Sequence, residues 1–452
     1  MRRAYPKPKG TATIVVLWCV AIAAVIVAAT QLVTWRTAVL GRSSLARIQA
    51  RWAARAGIEQ MISTLAYYSE FPVEGDPMAL IRELEQDCVG ELSTGSWDIR
   101  HVSEGEEYQG PLDEHSRLNL ENINPLQYAE FENMGPDTID AINDWVDEDK
   151  EVQGIGAEAS FYEGRDMGYV PRNAPFKSVA EVELVAGAFA EYVRGEDWNL
   201  NNRLDPNEND GNDSMPPDNA DGRLDAGWSA LITARSRSSA RGASGFPRIL
   251  LGDTTPEELI EATEVDQEQA EALIEWGQTD EARLGTLLVV DLAELAGGGS
   301  TPSRGSATGR SSRGSREASG PQSLSKEQLT KIFEETTLDD FEGPDPIPGK
   351  INLNTAGPEV LRILFAGDST NAEAVMALRQ SRAEGIRSIV DLLEIRRIAP
   401  EDIAGLADFM GVESNVFSVT SRGKASTGQE VEIYVLLDRS TLPVQILEYR
   451  EE

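Results

Sequence analysis

The chain has 452 residues, 40% of them hydrophobic, more than one core holds, so two or three packed units are expected. A formal net charge of −35 at pH 7 repels nucleic acid and anionic lipid surfaces and favours cations. Cys19 sits in an apolar run and Cys88 in polar sequence, which excludes an internal disulfide, and neither His101 nor His115 has a nucleophile partner in a recognisable motif. No catalytic residue is assigned, and no nucleic-acid partner is expected.

At the N-terminus Arg2, Arg3, Lys7 and Lys9 precede Gly10, and the run from Thr11 to Val33 carries no charged side chain. A helix rising about 1.5 Å per residue needs roughly 20 such residues to cross a bilayer, and the leading positive charge holds that end in the cytoplasm. The bulk of the chain is then expected outside the cytoplasm. A secretory signal peptide would be shorter and would break at a small-residue cleavage site, which Ala28-Ala29-Thr30 mimics. The helical pattern instead continues. Arg36, Arg42, Arg47, Arg51 and Arg55 alternate with Val39, Leu40, Leu45, Ile48, Trp52, Ala56 and Ile62, giving an amphipathic extension to about Tyr68. An ordinary membrane anchor with a stalk is the plainer alternative.

A basic leader ending in Gly10, an apolar helix starting directly after it and the stretch Arg55-Ala56-Gly57-Ile58-Glu59 resemble the type IV pilin and pseudopilin class. The resemblance implies cleavage by a prepilin peptidase between Gly10 and Thr11. Most members of that class carry glutamate at the fifth mature position, which here is Val15. Lack of that glutamate is similar to the K-type minor pseudopilin of type II secretion, a subunit placed at the pilus tip. A carboxylate in lipid costs several kcal/mol unless a neighbour's amine pairs with it, so a subunit with nothing above it is better served by an apolar side chain.

Beyond Ser69 three segments share a design. Arg117-Leu118-Asn119-Leu120-Glu121 precedes a helix at 136–146; Arg248-Ile249-Leu250-Leu251-Gly252-Asp253 precedes helices at 256–263 and 267–276; Lys350-Ile351-Asn352-Leu353-Asn354-Thr355-Ala356 precedes helices at 358–365 and 372–380. A basic residue, a short strand, a polar cap and proline at a helix start make a repeated strand-to-helix unit. The connecting loops resemble helix-hairpin-helix modules but, in so acidic a chain, are read as packing units. From Asn415 onward, alternating apolar and polar residues in Val416–Lys424, Glu430–Asp438 and Val444–Arg450 predict an antiparallel β-meander.

The resemblance to the K-type pseudopilin extends to Asp144-Trp145-Val146-Asp147-Glu148-Asp149, Gly156-Ala157-Glu158, Phe161-Tyr162 and Tyr169–Phe176 with Ser178, Glu181 and Leu184, and to the stretch beginning at Lys350. Two features depart from it: an acidic insertion at 196–228 and a Gly/Ser/Arg-rich stretch, Gly297 to Pro321, expected to be a disordered linker.

Within the insertion, Asp197 to Glu208 follows a twelve-residue calcium loop. Asp197, Asn199, Asn201, Asp205 and Glu208 stand at loop positions 1, 3, 5, 9 and 12, Arg203 offers its carbonyl at 7, and Asn202 replaces the usual glycine. Asn tolerates the left-handed conformation that position 6 requires. Asp218, Asp221 and Asp225 repeat the theme without a terminal glutamate. Ca2+ is therefore the expected cofactor, with a structural role, against the plainer view of a solvated acidic loop.

The expected fold is α+β: a pilin-like long N-terminal transmembrane helix and a C-terminal antiparallel sheet, with a large, mostly α-helical domain of repeated αβ units inserted between them. The expected divisions are 1–10 leader, 11–68 helix, 69–116 first part of the pilin-like domain, 117–296 helical domain, 297–325 linker, 326–414 second helical unit and 415–452 meander. The resemblance implies a non-enzymatic minor pseudopilin held in the inner membrane with its C-terminal domain in the periplasm. It would cap or initiate the periplasmic pseudopilus, with other minor pseudopilins, the major pseudopilin and prepilin peptidase as partners. The rival is a membrane-anchored, calcium-binding extracytoplasmic adhesion or scaffold protein; an unrecognised secreted hydrolase is a second.

Overall fold

The computed structural model describes residues 11–103, 105–296, 321–341, 343 and 346–451. The leader with Gly10, and positions 297–320 of the expected linker, lie outside the described residues.

Thr11–Glu70 is one unbroken helix of 60 residues. Its most apolar 18-residue window has a mean hydropathy of 2.8 and is 0% buried, so the protein itself leaves that half of the helix uncovered. In the second half the packing residues turn small. Ala46, Ala50, Ala54, Ile58, Met61 and Leu65 recur every three or four positions and are buried.

The strands in chain order are β1 (Val89–Leu92), β2 (Gly95–Ser103), β3 (Glu106–Gln109) and β4 (Leu112–Asp113), then the short β5 (Leu118–Asn119), β6 (Ile232–Thr233), β7 (Ile249–Leu250), β8 (Thr336–Thr337), β9 (Ile351–Asn352) and β10 (Met410–Gly411). The last three are β11 (Val416–Ala425), β12 (Glu430–Asp438) and β13 (Gln445–Glu451). The main sheet runs β1-β2-β11-β12-β13, with β3 beside β2 and β4 beside β11, every pair antiparallel.

The face of this sheet against the helix is set by alternation. Val431, Ile433, Val435 and Leu437 of β12, and Phe417, Val419 and Ala425 of β11, join the helix residues in one core. Ser421 and Gly423 share that face of β11. The Ser421 hydroxyl donates to the Ala54 carbonyl at 2.8 Å. A Cβ on Gly423 would stand 2.0 Å from the Ala50 carbonyl oxygen, and one on Gly57 would stand 2.6 Å from the Trp97 ring. Helix and sheet touch almost backbone to backbone, which only glycine and alanine permit here.

The alternation at 415–452 thus forms an antiparallel sheet, but β2 and β4 complete it from the other end of the chain. Asp113 and Leu112 pair with Phe417 and Ser418, so residues 114–415 leave the sheet and return at the same place. Inside that excursion the three strand-to-helix segments have one local build. β5 pairs with β6, β7 with β8 and β9 with β10, each pair parallel and two residues long. Proline opens the helices Pro136–Val146, Pro256–Thr263 and Pro358–Leu364. The cores cross the division expected at 297–325. Leu118, Trp145 and Ile232 pack with Ile351, Leu361 and Met410, while Leu251, Leu259 and Leu273 pack with Ile332 from the helix Lys326–Glu335. A parallel pair needs its second strand on the far side of a helical crossover, so the partners of β7 and of the 256–277 helices come from beyond the linker.

Candidate functional site

Asp197–Glu208 folds into a closed loop. The Asp197 carboxylate, 0% exposed, accepts from the backbone N–H groups of Asn201 and Asn202, both at 2.9 Å. Asn199 Oδ1 accepts from the Asn201 N–H, and Asn201 Oδ1 from the Arg203 N–H. Asn202, at the position usually held by glycine, has φ 56°, the left-handed conformation that asparagine tolerates. Glu208, 1% exposed, closes the loop by accepting from the Trp198 and Asp205 N–H groups, both at 3.0 Å. Burial pushes the carboxyls of Asp197 and Glu208 up, and nearby carboxylates add to the effect.

The amide nitrogens of Asn199 and Asn201 both donate to Asp205 Oδ2, at 2.8 and 2.9 Å. They supply the positive pole on Asp205 that a cation would otherwise supply. Positions 1, 3, 5, 7, 9 and 12, with Asp197 and Glu208 the buried carboxylates among them, carry oxygens of the kind a hard divalent ion takes. The Arg203 carbonyl belongs to this set.

A second loop repeats the first in sequence and shape. Asn199-Leu200-Asn201-Asn202-Arg203-Leu204-Asp205 recurs as Asn219-Ala220-Asp221-Gly222-Arg223-Leu224-Asp225. Leu200 and Ala220 have φ 56° and 54°, and Asn202 and Gly222 have φ 56° and 82°. Asn219 accepts from the Asp221 N–H and Asp221 from the Arg223 N–H, as Asn199 and Asn201 do in the first loop. The glutamate absent from the second loop's own sequence comes from Glu196. Its carboxylate accepts from the N–H groups of Asn219 and Asp225, both at 3.1 Å, as Glu208 does from Trp198 and Asp205. Asp221 and Asp225 therefore take loop positions, while Asp218 turns onto the N–H groups of Asp210, Gly211 and Ala220. The repeat at an interval of twenty residues is legible in the sequence, but it places Trp228 where the first loop has Glu208, and only the fold brings Glu196 to the second loop.

The first loop also touches the main sheet. The Val102 N–H of β2 donates to the Asn202 carbonyl at 3.0 Å, Arg117 donates to the Asn202 side chain, and Arg203 forms an ion pair with Glu432 of β12. Glu196 and Asp197, next to each other in sequence, hold one loop each.

A further acidic group, unassigned from the sequence, lies at the end of the helix Pro136–Val146. Carboxylate oxygens of Asp147, Asp149 and Glu158 fall within 4.8 Å of one another. Asp147 Oδ1, Glu158 Oε1 and the adjacent Asp144 Oδ2 are buried with no hydrogen-bond partner. Desolvation raises all three carboxyls, and repulsion from neighbouring acids, Asp149 in every case, raises them further. The close wrap of 150–158 depends on Gly156, where a Cβ would meet Asp144 Oδ2 at 2.4 Å. Orphaned buried carboxylate oxygens facing like charge make a second donor set suited to a hard cation. The acids were visible in the sequence; their convergence across a nine-residue turn was not.

Thr11 is the first residue of the long helix and Val15, one turn on, is 60% exposed among other uncovered apolar side chains.

A long N-terminal helix, apolar and uncovered in its first half and seated on an antiparallel sheet in its second, with a long excursion leaving and rejoining adjacent strands, is the architecture that frames these loops. Residues 117–195 match the family model described as type II secretion system (T2SS), protein K. In that stretch the chain is similar to the type II secretion system protein K family. The type II secretion system protein K of Klebsiella pneumoniae is 31% identical over 106 residues, a stretch covering 19% of this chain and 32% of that relative. In structure the chain is similar to one in the crystal structure of the GspK-GspI-GspJ complex from the type 2 secretion system of enterotoxigenic Escherichia coli. That likeness has a TM-score of 0.44 and 13% identity and covers 91% of this chain and 99% of the other.

Proposed function

We propose that the chain is a minor pseudopilin of a type II protein secretion system. It is anchored once in the inner membrane, with sheet and helical excursion in the periplasm, and it initiates or caps the periplasmic pseudopilus. The observation that carries this reading is the 60-residue helix, half of it apolar and uncovered and half of it fused to a sheet. An uncovered apolar rod rigidly continued into a folded head suits lateral docking among similar rods in and above the bilayer. The protein K domain at 117–195 supports the same reading. Other minor pseudopilins and the major pseudopilin are the partners this assigns, and the mechanism is assembly rather than turnover.

Processing by prepilin peptidase between Gly10 and Thr11 would leave Val15 at the fifth mature position. An apolar residue there suits a subunit with no neighbour above it to neutralise a carboxylate. Calcium would be held in the first loop by Asp197, Asn199, Asn201, Asp205 and Glu208 with the Arg203 carbonyl. In the second it would be held by Asn219, Asp221 and Asp225 with Glu196, near Asp218, and a further divalent ion by Asp147, Asp149 and Glu158. The ion's contribution is charge neutralisation, which lets buried carboxylates stay ionised and stiffens the loops.

Mass spectrometry of the N-terminus of the protein isolated from membranes tests the assignment. A mature start at Thr11 is expected; an intact Met1 would point instead to a tethered calcium-binding scaffold.

A further inference from the structure

Where the end of the long helix meets the excursion, a cavity of about 230 Å³ opens between residues 68–81, 238–248, 333–341 and 407–415, with Lys350 on its wall. Its charge is unbalanced. Arg248 and Arg387, both on the wall, are committed to Glu413 and Glu334. Three other cations on the wall have no carboxylate within ion-pair distance among the described residues. Arg241 donates to the Gly245 carbonyl at 2.9 Å, Lys350 Nζ to the Ala407 carbonyl at 3.1 Å and Arg439 Nε to the Ser69 hydroxyl at 2.9 Å. Each retains unused donors. Burial pulls the Lys350 amine down, and it brings the Arg439 guanidinium down to about 10.

His115 lines the same cavity and is 2% exposed. Its Nδ1 lies 2.9 Å from the Lys350 carbonyl, which only accepts, so Nδ1 carries the proton, and Nε2 is buried with no partner. Nε2 is thus a buried polar atom of the cavity wall left without a partner. Asp76, which also lines the cavity, is taken by Arg82, and Asp339 is the one further carboxylate on the wall among the described residues, so in a chain of net charge −35 the three cations outside ion pairs leave a local excess of positive charge that an anionic ligand would offset. The space is several times that of one water, roughly 30 Å³. Pro72, Val73 and Phe341 add apolar wall, and Phe71 and Phe246, beside the lining residues Pro72 and Gly245, are exposed. A bare inorganic anion would leave that wall unused.

We propose that this cavity binds a carboxylate carried on an apolar residue, and that the C-terminus of a peptide is the source that fits. The cations hold the carboxylate, and the apolar wall takes the adjoining side chain. The site lies apart from the acidic loops and does not depend on the secretion assignment.

The test is calorimetry on the full chain in non-ionic detergent with four probes: acetyl-Ala-Phe as the free acid, its C-terminal amide, acetyl-Asp-Phe amide and inorganic phosphate. Saturable binding of the free acid, at least tenfold weaker amide binding and a tenfold or greater loss in Lys350→Gln and Arg241→Gln are expected. Arg241→Gln is included because, among the described residues, its side chain's one hydrogen bond is to the Gly245 loop carbonyl, so its melting curve should match the parent even if Lys350→Gln unfolds. Tighter binding of acetyl-Asp-Phe amide than of the free acid would assign the carboxylate to a side chain and overturn the C-terminal source. Equal binding of acid and amide, preference for phosphate, or no saturable heat would overturn the carboxylate site.

Discussion

Arg203, at the seventh position of the first acidic loop, forms an ion pair with Glu432 on β12, 229 positions away, and each side chain is 20% exposed. Arg422 on β11 shares the same Glu432 oxygen at 3.4 Å. The pair fixes the excursion to the sheet it left. In a double-mutant cycle, Arg203→Gln and Glu432→Gln are expected to show a coupling of about 1 kcal/mol, above the usual value for a fully exposed pair. Denaturant midpoints of the four proteins measure it; coupling near zero would mean that the loop merely rests on the sheet.

Chelation should lower the melting temperature. An ion at a concentration of 100 Kd stabilises by about 2.7 kcal/mol, which for a domain of 150–250 residues corresponds to roughly 5–10 °C. Glu196→Gln should reproduce part of this loss although Glu196 lies outside both loop sequences. Differential scanning fluorimetry with and without calcium reads both effects, and an unchanged curve in chelator would remove calcium from the account.

Much of this arrangement is legible in the sequence, and the reason for the rest is physical. A 60-residue helix announces itself because every contact that makes it is local, and β11 to β13 do so through alternation. The pairing of β2 and β4 with β11 joins positions some three hundred apart, where no local pattern constrains the partner. Glu196 and the Asp147, Asp149 and Glu158 group escape for a related reason. Their roles are set by how loops fold back, whereas the spacing of Asp197 to Glu208 matches one continuous turn.

Gly423→Val should be strongly destabilising. Its Cβ would meet the Ala50 carbonyl oxygen at 2.0 Å and the Ala54 nitrogen at 2.3 Å, both backbone atoms that cannot rotate away. A loss of about 3 kcal/mol or more is expected, at or above the upper end for overpacking. Gly428→Ala, with nothing within 4 Å of its Cβ but φ 89°, should lose less. Comparable urea midpoints for the two variants would contradict the close helix–sheet contact.

The acidic group at 144–158 should be sensitive to pH with a defined sign. Desolvation raises the carboxyls of Asp144, Asp147 and Glu158 above their unfolded values of 3.8, 3.8 and 4.5. The folded state then binds more protons than the unfolded state between those values and the raised ones. Stability from this group is therefore present at low pH and lost as pH rises through the raised folded values. In chelator, Asp147→Asn with Glu158→Gln should melt higher than the parent at pH 7.5 and lose that advantage toward pH 5. In calcium chloride the variant should melt lower. A variant that is less stable in chelator at pH 7.5 would contradict the like-charge reading.

The central claim is that the apolar rod and its fused head dock among similar rods. Purification of the full chain in mild detergent after co-expression with the minor pseudopilins of its own secretion system tests it most directly. The account predicts one complex containing all of them, dissolved when Gly423→Val disturbs the seat of the helix on the sheet. Elution of the intact, folded chain by itself, with no pseudopilin at its side, would contradict it.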